Sequence, residues 1–151
     1  MIPLLDLAHT LASHGLSLTV LTTPQNQSLL NPLLQRASSE GLQIQPLIIP
    51  LPPTEGLPPG CENVGNLPTL RLMPLLIYSL RQLALPLENW FQQQKNSSDG
   101  FGPPVCIISD FFLGWTHDTA AKLGIPRIVF HTSGAFVVSL IYSLSGNTSP
   151  N

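Results

Sequence analysis

Two short apolar segments, each followed by a polar residue, flank a helical segment within residues 105–136, VCIISDFFLGWTHDTAAKLGIPRIVFHTSGAF. The first apolar segment ends at Asp110 and the second at Thr132, and Gly124 and Pro126 follow the helical segment. This order predicts a strand, a helix and a second strand parallel to the first. Functional groups gather beyond the carboxyl ends of the strands in open parallel sheets. The pattern therefore places Asp110 and Thr132 at the edge where a site would form, although on spacing alone such a carboxylate more often caps the next helix.

The same alternation of helices and strands extends over the rest of the chain. Apolar periodicity and the positions of Gly and Pro predict, in chain order, a helix from Pro3 to about Gly15, a strand over 16–23, a helix over 25–38 weakened by Pro32, an edge strand over 42–49 containing Pro46, a helix over 69–94 kinked at Pro74 and Pro86, a strand over 105–109, a helix over 114–123, a strand over 126–130 and a helix over 134–144. Residues 50–68 contain six prolines and three glycines and predict a long irregular loop. The pattern predicts an α/β fold, a Rossmann-like parallel sheet with helices on both faces. Residues 1–144 would form one domain and residues 145–151 a polar tail.

The chain begins with a helix, and no strand precedes that helix in the sequence. In a doubly wound sheet the first strand lies near the centre. Without it, a slot lined by unpaired backbone groups would remain in the sheet, and such groups are costly when buried. We therefore expect either that another segment fills the slot or that the chain is part of a longer protein.

Charge, hydropathy and cysteine content exclude several classes of protein. Only 9% of the residues are charged and the net charge is −2, so nothing indicates a nucleic-acid partner. No segment reaches the ~20 apolar residues of a membrane span, and the N-terminus lacks the basic residues of a signal peptide. The two cysteines make neither a disulfide framework nor a metal cluster; Cys106 is expected to be buried in a strand and Cys61 exposed in the loop. This usage predicts a reducing compartment, hence a cytoplasmic protein.

His9, His14 and the His117–Asp118 pair are weaker candidates for a catalytic or metal-binding site. His9 and His14 lie on the first predicted helix, where contacts along the helix face or with its C-terminal dipole are the favoured role. The His117–Asp118 pair resembles part of a metal phosphohydrolase site, but no further ligands accompany it. We therefore predict no metal site.

Three stretches resemble the plant family one UDP-dependent glycosyltransferases, which glucosylate small secondary metabolites. They are residues 1–26, MIPLLDLAHTLASHGLSLTVLTTPQN, residues 48–63, IIPLPPTEGLPPGCEN, and residues 103–136, PPVCIISDFFLGWTHDTAAKLGIPRIVFHTSGAF. The resemblance extends to about Leu144 and is closest to the branch that acts on flavonols and similar phenolics.

The resemblance implies a GT-B architecture, in which two Rossmann-like domains face each other across a cleft. This chain resembles part of the N-terminal, acceptor-binding domain, without its first strand and without the C-terminal domain that binds the UDP-sugar. Asp110 falls on the aspartate of the family's catalytic histidine–aspartate pair, and Thr132 falls on a residue that contacts the donor sugar. His131 and Phe111 are further candidates for substrate binding. The catalytic histidine has no counterpart, because it would immediately precede Met1.

The function that the resemblance implies is inverting transfer of glucose, or a related sugar, from a UDP-sugar to a hydroxyl of a small phenolic such as a flavonol. The UDP-sugar is the donor substrate, and no cofactor is implied. Because the histidine and the donor domain have no counterparts, we expect the chain alone to be inactive. Two alternatives remain open: a non-catalytic truncated chain that binds phenolics or a partner, and an unrelated Rossmann-like binding module.

Overall fold

The computed structural model describes residues 2–95 and 101–131, together with Ser139 and Ser143. Within these residues, α-helices and β-strands alternate along the chain, which confirms the α/β class. In chain order, the elements are α1 (Ile2–Ser13), β1 (Leu18–Thr22), α2 (Asn31–Glu40), β2 (Ile44–Ile48), α3 (Met73–Leu80), α4 (Ala84–Gln94), β3 (Ile107–Asp110), α5 (Trp115–Leu123) and β4 (Arg127–Phe130). Each described strand is shorter than predicted by one to three residues. No helix in the described part of the chain is long and apolar enough to cross a membrane.

The four described strands form two separate parallel pairs. β1 pairs with β2, with Thr22 opposite Ile48 at the end of the ladder, and β3 pairs with β4, with Asp110 opposite Phe130. In residues 2–95 and 101–131, no ladder joins one pair to the other. This arrangement fits the slot expected in the middle of the sheet.

One apolar cluster supports both strand pairs. Its buried members are Ile49, Leu83 and Leu87. Leu21 of β1 and Ile107 of β3 both pack against it, so each pair rests on the helical layer that contains α4. Burial of these side chains provides the apolar contact that joins the two pairs, at roughly 25 cal/mol for each Å² removed from water.

The long helix predicted over 69–94 is interrupted before its second proline. A 3₁₀ turn over Arg81–Leu83 separates α3 from α4. In a continuous helix, the ring of Pro86 would clash with the carbonyl of Gln82, and its missing N–H would leave a bond unmade. Restarting the helix places Pro86 in a first turn, where N–H groups have no partner within the helix. Pro74 likewise lies in the first turn of α3.

The helix predicted over 25–38 is two elements. A 3₁₀ helix over Pro24–Leu30 leads directly into α2. Pro32 therefore helps to begin α2, where its fixed φ suits a first turn, and does not weaken a helix interior. Gly41, with φ 68°, ends α2 in the left-handed conformation that glycine adopts without strain.

Several predictions concern residues outside the described ranges. These are Thr132, most of the helix predicted over 134–144, and the tail over 145–151; residues 96–100 also lie outside the described ranges. Ser139 and Ser143, within the predicted helix, are helical and exposed.

Asn26 fastens the proline-rich loop to the end of β1. Its side chain is 6% exposed. Its Nδ2 donates to Thr23 Oγ1 at 2.8 Å and to the Glu62 carbonyl at 3.0 Å, and its Oδ1 accepts from Asn63 Nδ2 at 2.7 Å. The backbone N–H of Gln25 donates to Glu62 Oε2 at 3.0 Å. The loop over 50–68 is therefore anchored at the carboxyl end of β1.

Both cysteines differ in burial from the expectation. Cys61 is 5% exposed, because the loop turns back on itself and its thiol donates to the Asn66 carbonyl at 3.1 Å. Asn63 closes the same turn by accepting from the Asn66 N–H at 3.0 Å. Cys106 lies just before β3 and is half-buried, not buried within the strand.

Asn26→Asp is expected to destabilise the chain by about 1–3 kcal/mol. The new carboxylate oxygen would face the Glu62 carbonyl, and a buried charge would replace a neutral amide. The midpoint of urea unfolding followed by circular dichroism measures the loss. Gln27→Glu makes the same amide-to-acid change on an exposed neighbour in the same 3₁₀ helix. Equal midpoints for the two variants would show that the anchor contributes nothing.

Candidate functional site

Asp110 is the last residue of β3, and a tight turn holds both its carboxylate and its carbonyl. Its Oδ1 accepts a hydrogen bond from the backbone N–H of Phe112 at 2.9 Å. Its carbonyl oxygen accepts one from the N–H of Leu113 at 3.1 Å. The N-cap residue of α5 is Gly114, so the carboxylate closes the turn before the helix and is not the helix cap. Asp110 therefore lies at the carboxyl end of a parallel strand, as predicted.

Two of the other predicted site residues meet beside Asp110. The rings of Phe111 and His131 are stacked, with centroids 5.4 Å apart and planes at 19°. Phe111 also contacts Phe112, with centroids 4.0 Å apart. The carboxyl ends of β3 and β4 thus bring an imidazole and two phenyl rings together next to the carboxylate. Thr132 follows His131 and lies outside the described residues.

A buried polar network lies behind this turn. Ser109 is 4% exposed and Thr116 is 3% exposed, and their hydroxyl oxygens are 2.8 Å apart. Arg127 on β4 donates from Nε to Ser109 Oγ at 2.9 Å and from Nη2 to the Asp110 carbonyl at 3.2 Å. Sequence reasoning did not single out Thr116 or Arg127, because nothing in either local pattern marks a contact across the strand pair.

A cavity of about 320 Å³ opens between α3 and the start of α5. Its lining residues are Ile77, Tyr78, Arg81, Phe112, Gly114, Trp115 and Asp118. The guanidinium of Arg81 lies 5.3 Å from the centroid of the Tyr78 ring. The walls combine the aromatic and aliphatic side chains with Arg81 and Asp118, and the cavity is open to solvent. Phe112 lines the cavity and also donates its N–H to the Asp110 carboxylate, so the cavity adjoins the turn that holds Asp110.

His9 of α1 and His14, which directly follows α1, have structural partners. His9 Nε2 lies 2.8 Å from Glu40 Oε2, and His14 Nδ1 lies 2.8 Å from the Thr10 carbonyl. Arg36 also binds Glu40, at 2.9 Å, and the guanidinium of Arg36 and then the imidazole of His9 hold the pKa of Glu40 below its ordinary value. The contact between His9 and Glu40 ties α1 to α2 and agrees with the helix-face role predicted for His9.

His117 and Asp118 are both exposed on α5, and Asp118 lies at the rim of the cavity. Within residues 2–95 and 101–131, no three His, Cys, Asp or Glu side chains come together in a group that would hold a metal ion.

Comparison with known proteins identifies close relatives in sequence. No protein-family model matches the chain. UDP-glycosyltransferase 89B2 of Stevia rebaudiana is 44% identical over 144 residues, which cover 95% of this chain and 29% of that enzyme. Flavonol 3-O-glucosyltransferase UGT89B1 of Arabidopsis thaliana is 44% identical over 147 residues, covering 95% of this chain and 28% of that enzyme. The chain thus spans less than a third of the length of these curated relatives.

Solved structures of plant UDP-glycosyltransferases are similar to this chain in fold as well. UGT89C1 of Arabidopsis thaliana superposes with a TM-score of 0.82 at 32% identity, covering 93% of this chain and 33% of that one. A structure of the same enzyme complexed with quercetin superposes with a TM-score of 0.81 at 31% identity, again over 93% of this chain and 33% of that one. Sequence and fold together show that this chain belongs to the plant UDP-glycosyltransferase family, as a segment that corresponds to less than a third of its relatives' length.

Proposed function

We propose that this region is the acceptor-binding part of an inverting glycosyltransferase that transfers glucose, or a related sugar, from a UDP-sugar to a phenolic hydroxyl. The observation that supports this proposal most directly is the aromatic-lined cavity next to the turn that holds Asp110. Relatives of this chain include a flavonol 3-O-glucosyltransferase and a scopoletin glucosyltransferase. One solved neighbour, UGT89C1 of Arabidopsis thaliana, has a structure complexed with quercetin and a separate structure complexed with UDP. We therefore propose a flavonol or a similar planar phenolic as the acceptor.

Each candidate residue has a distinct part in the proposed reaction. A histidine without a counterpart in these 151 residues takes the proton of the acceptor hydroxyl, and the Asp110 carboxylate stabilises the imidazolium that forms. The acceptor oxygen bonds to the anomeric carbon as the bond from that carbon to the UDP oxygen breaks, which inverts the configuration. We propose that Phe111 and Phe112 contact the acceptor, and that His131 and Thr132 contact the donor sugar.

We further propose that the reaction needs no cofactor and takes place in the cytoplasm. A sugar transfer from UDP is neither an oxidation nor a reduction, so it needs no redox cofactor. The UDP-sugar itself supplies the transferred group. Cys61 and Cys106 are both free thiols, which suits a reducing compartment.

A chimera tests the proposed transfer. The region of Stevia rebaudiana UDP-glycosyltransferase 89B2 that this chain matches would be replaced by the matching residues of this chain. With UDP-glucose and quercetin, the chimera is expected to release UDP above a protein-free blank, whereas the 151-residue chain alone is expected to release none. A folded chimera that binds UDP but transfers no sugar to any phenolic tested would contradict the proposal.

Fluorescence tests acceptor binding by the chain itself. Quercetin is expected to quench tryptophan emission in a saturable manner, because Trp115 lines the cavity. Trp115→Phe should remove most of this quenching. Trp90→Phe should leave it in place, because Trp90 is not among the residues that line the cavity. Saturable quenching together with an inactive chimera would favour the alternative of a non-catalytic protein that binds phenolics.

A further inference from the structure

The guanidinium of Arg127 binds two uncharged oxygens at the end of the neighbouring strand. Arg127 begins β4 opposite Ile107, yet its side chain extends along the pair to Ser109 Oγ and to the Asp110 carbonyl. The two bonds hold the guanidinium in one position against the end of β3.

The hydroxyl protons of the network behind the turn have one consistent direction. Thr116 Oγ1 donates its single proton to the Leu113 carbonyl at 2.7 Å. The Ser109 hydroxyl must therefore donate to Thr116 across the 2.8 Å contact, and its lone pair accepts the proton of Arg127 Nε. The hydrogen bonds therefore run from Arg127 to Ser109, from Ser109 to Thr116, and from Thr116 to the Leu113 carbonyl. Without Arg127, the Ser109 hydroxyl would lose the donor to its lone pair.

The same hydrogen-bond network includes Asp110, the residue proposed for catalysis. The Asp110 carbonyl accepts from Arg127 on one side and from the Leu113 N–H on the other. The Asp110 carboxylate accepts from the Phe112 N–H in the same turn. We propose that Arg127 is a positioning residue that holds the Asp110 turn, and so aims the carboxylate, through its bonds to Ser109 and to the Asp110 carbonyl. This inference rests on the proposed function only for the consequence of that aim, since the contact itself is observed.

Lysine cannot replace arginine at this position without loss. The guanidinium presents its donors in a rigid planar fork, so Nε and Nη2 reach the Ser109 hydroxyl and the Asp110 carbonyl together. An ammonium is a single point of donation at the end of a flexible stem. Arg127→Lys should therefore retain one of the two hydrogen bonds, whereas Arg127→Met retains neither.

Hydrogen exchange in the 151-residue chain tests the contact without any enzyme assay. In Arg127→Met, the amides of Phe112 and Leu113 are expected to exchange on the order of tenfold faster, because the turn that protects them opens more often. Arg71→Met removes an exposed guanidinium outside the site and should leave both rates unchanged. The Ile125 amide, bonded to the Ala120 carbonyl, serves as the reference for global unfolding. Unchanged protection of Phe112 and Leu113 in both Arg127→Met and Arg127→Lys would overturn the proposal.

The chimera tests the catalytic consequence. Arg127→Met is expected to lower kcat on the order of tenfold to a hundredfold with little change in the KM for quercetin, because the carboxylate is misaligned while the cavity is intact. Arg127→Lys should recover part of kcat. An unchanged kcat in Arg127→Met would overturn the positioning role. A parent chimera without activity would instead count against the proposed function, and the exchange rates alone would then decide whether Arg127 holds the turn.

Discussion

Asp110→Asn is expected to lower the turnover of the active chimera by on the order of a hundredfold to ten-thousandfold. Asparagine has the same shape as aspartate, and its Oδ1 can still accept the Phe112 N–H that closes the turn. It has no negative charge to stabilise an imidazolium, so the proton of the acceptor hydroxyl becomes harder to remove. The kcat for UDP release in the presence of UDP-glucose and quercetin measures the loss.

Asp6→Asn is the matched control for this experiment, because it makes the same substitution at an exposed carboxylate on α1. Its kcat should equal that of the parent chimera. If Asp110→Asn and Asp6→Asn gave the same kcat, Asp110 would have no part in the reaction. Unfolding midpoints of both variants should match that of the parent, which separates a loss of chemistry from a loss of folded protein.

Leu83→Ala is expected to destabilise the chain by about 2–5 kcal/mol. Leu83 is 4% exposed and belongs to the apolar cluster on which both strand pairs rest. Truncation would leave a cavity beneath Leu21 and Ile107, the contacts through which the two pairs share one helical layer. Since domains are stable by only about 5–15 kcal/mol, this loss is a large fraction of the total free energy of unfolding. Urea unfolding monitored by circular dichroism gives the difference in free energy.

Leu85→Ala is the matched control for the core substitution. It makes the same truncation two residues further along, at a side chain that is 65% exposed. Its effect should lie within about 0.5 kcal/mol, as for other surface substitutions. If the two alanine variants unfolded at the same urea concentration, the cluster would not be what joins the strand pairs.

Much of the element order followed from local chemistry that is visible in the sequence. Apolar periodicity and the glycine at the end of α5 were enough to predict the strand, helix and strand that include Asp110. The kinks expected at Pro74 and Pro86 were wrong in form, because each proline lies in the first turn of a helix. The loss of a backbone N–H is harmless in a first turn and costly in a helix interior. The rule about proline was correct, but the position of the helix start could not be known from periodicity alone.

Contacts between distant parts of the chain could not be predicted. Cys61 was expected to be exposed, yet the loop folds over it, and Asn26 binds that loop from 36 to 37 residues away. Neither contact leaves a periodic signal, because each depends on how a loop without regular structure closes on a strand end.

The sequence by itself determined the α/β class, the family and the place of Asp110 at a strand end, since these follow from short-range periodicity, turn residues and motif identity. Only the tertiary structure decided that Arg127 donates a hydrogen bond to the end of that strand and that Phe112, in the Asp110 turn, also lines a cavity. The register of β3 against β4 brings Arg127 to the strand end, and residues of α3 and of the start of α5 line the cavity together with Phe112. Register and packing arise from the whole set of buried contacts, so no single segment of the chain encodes them.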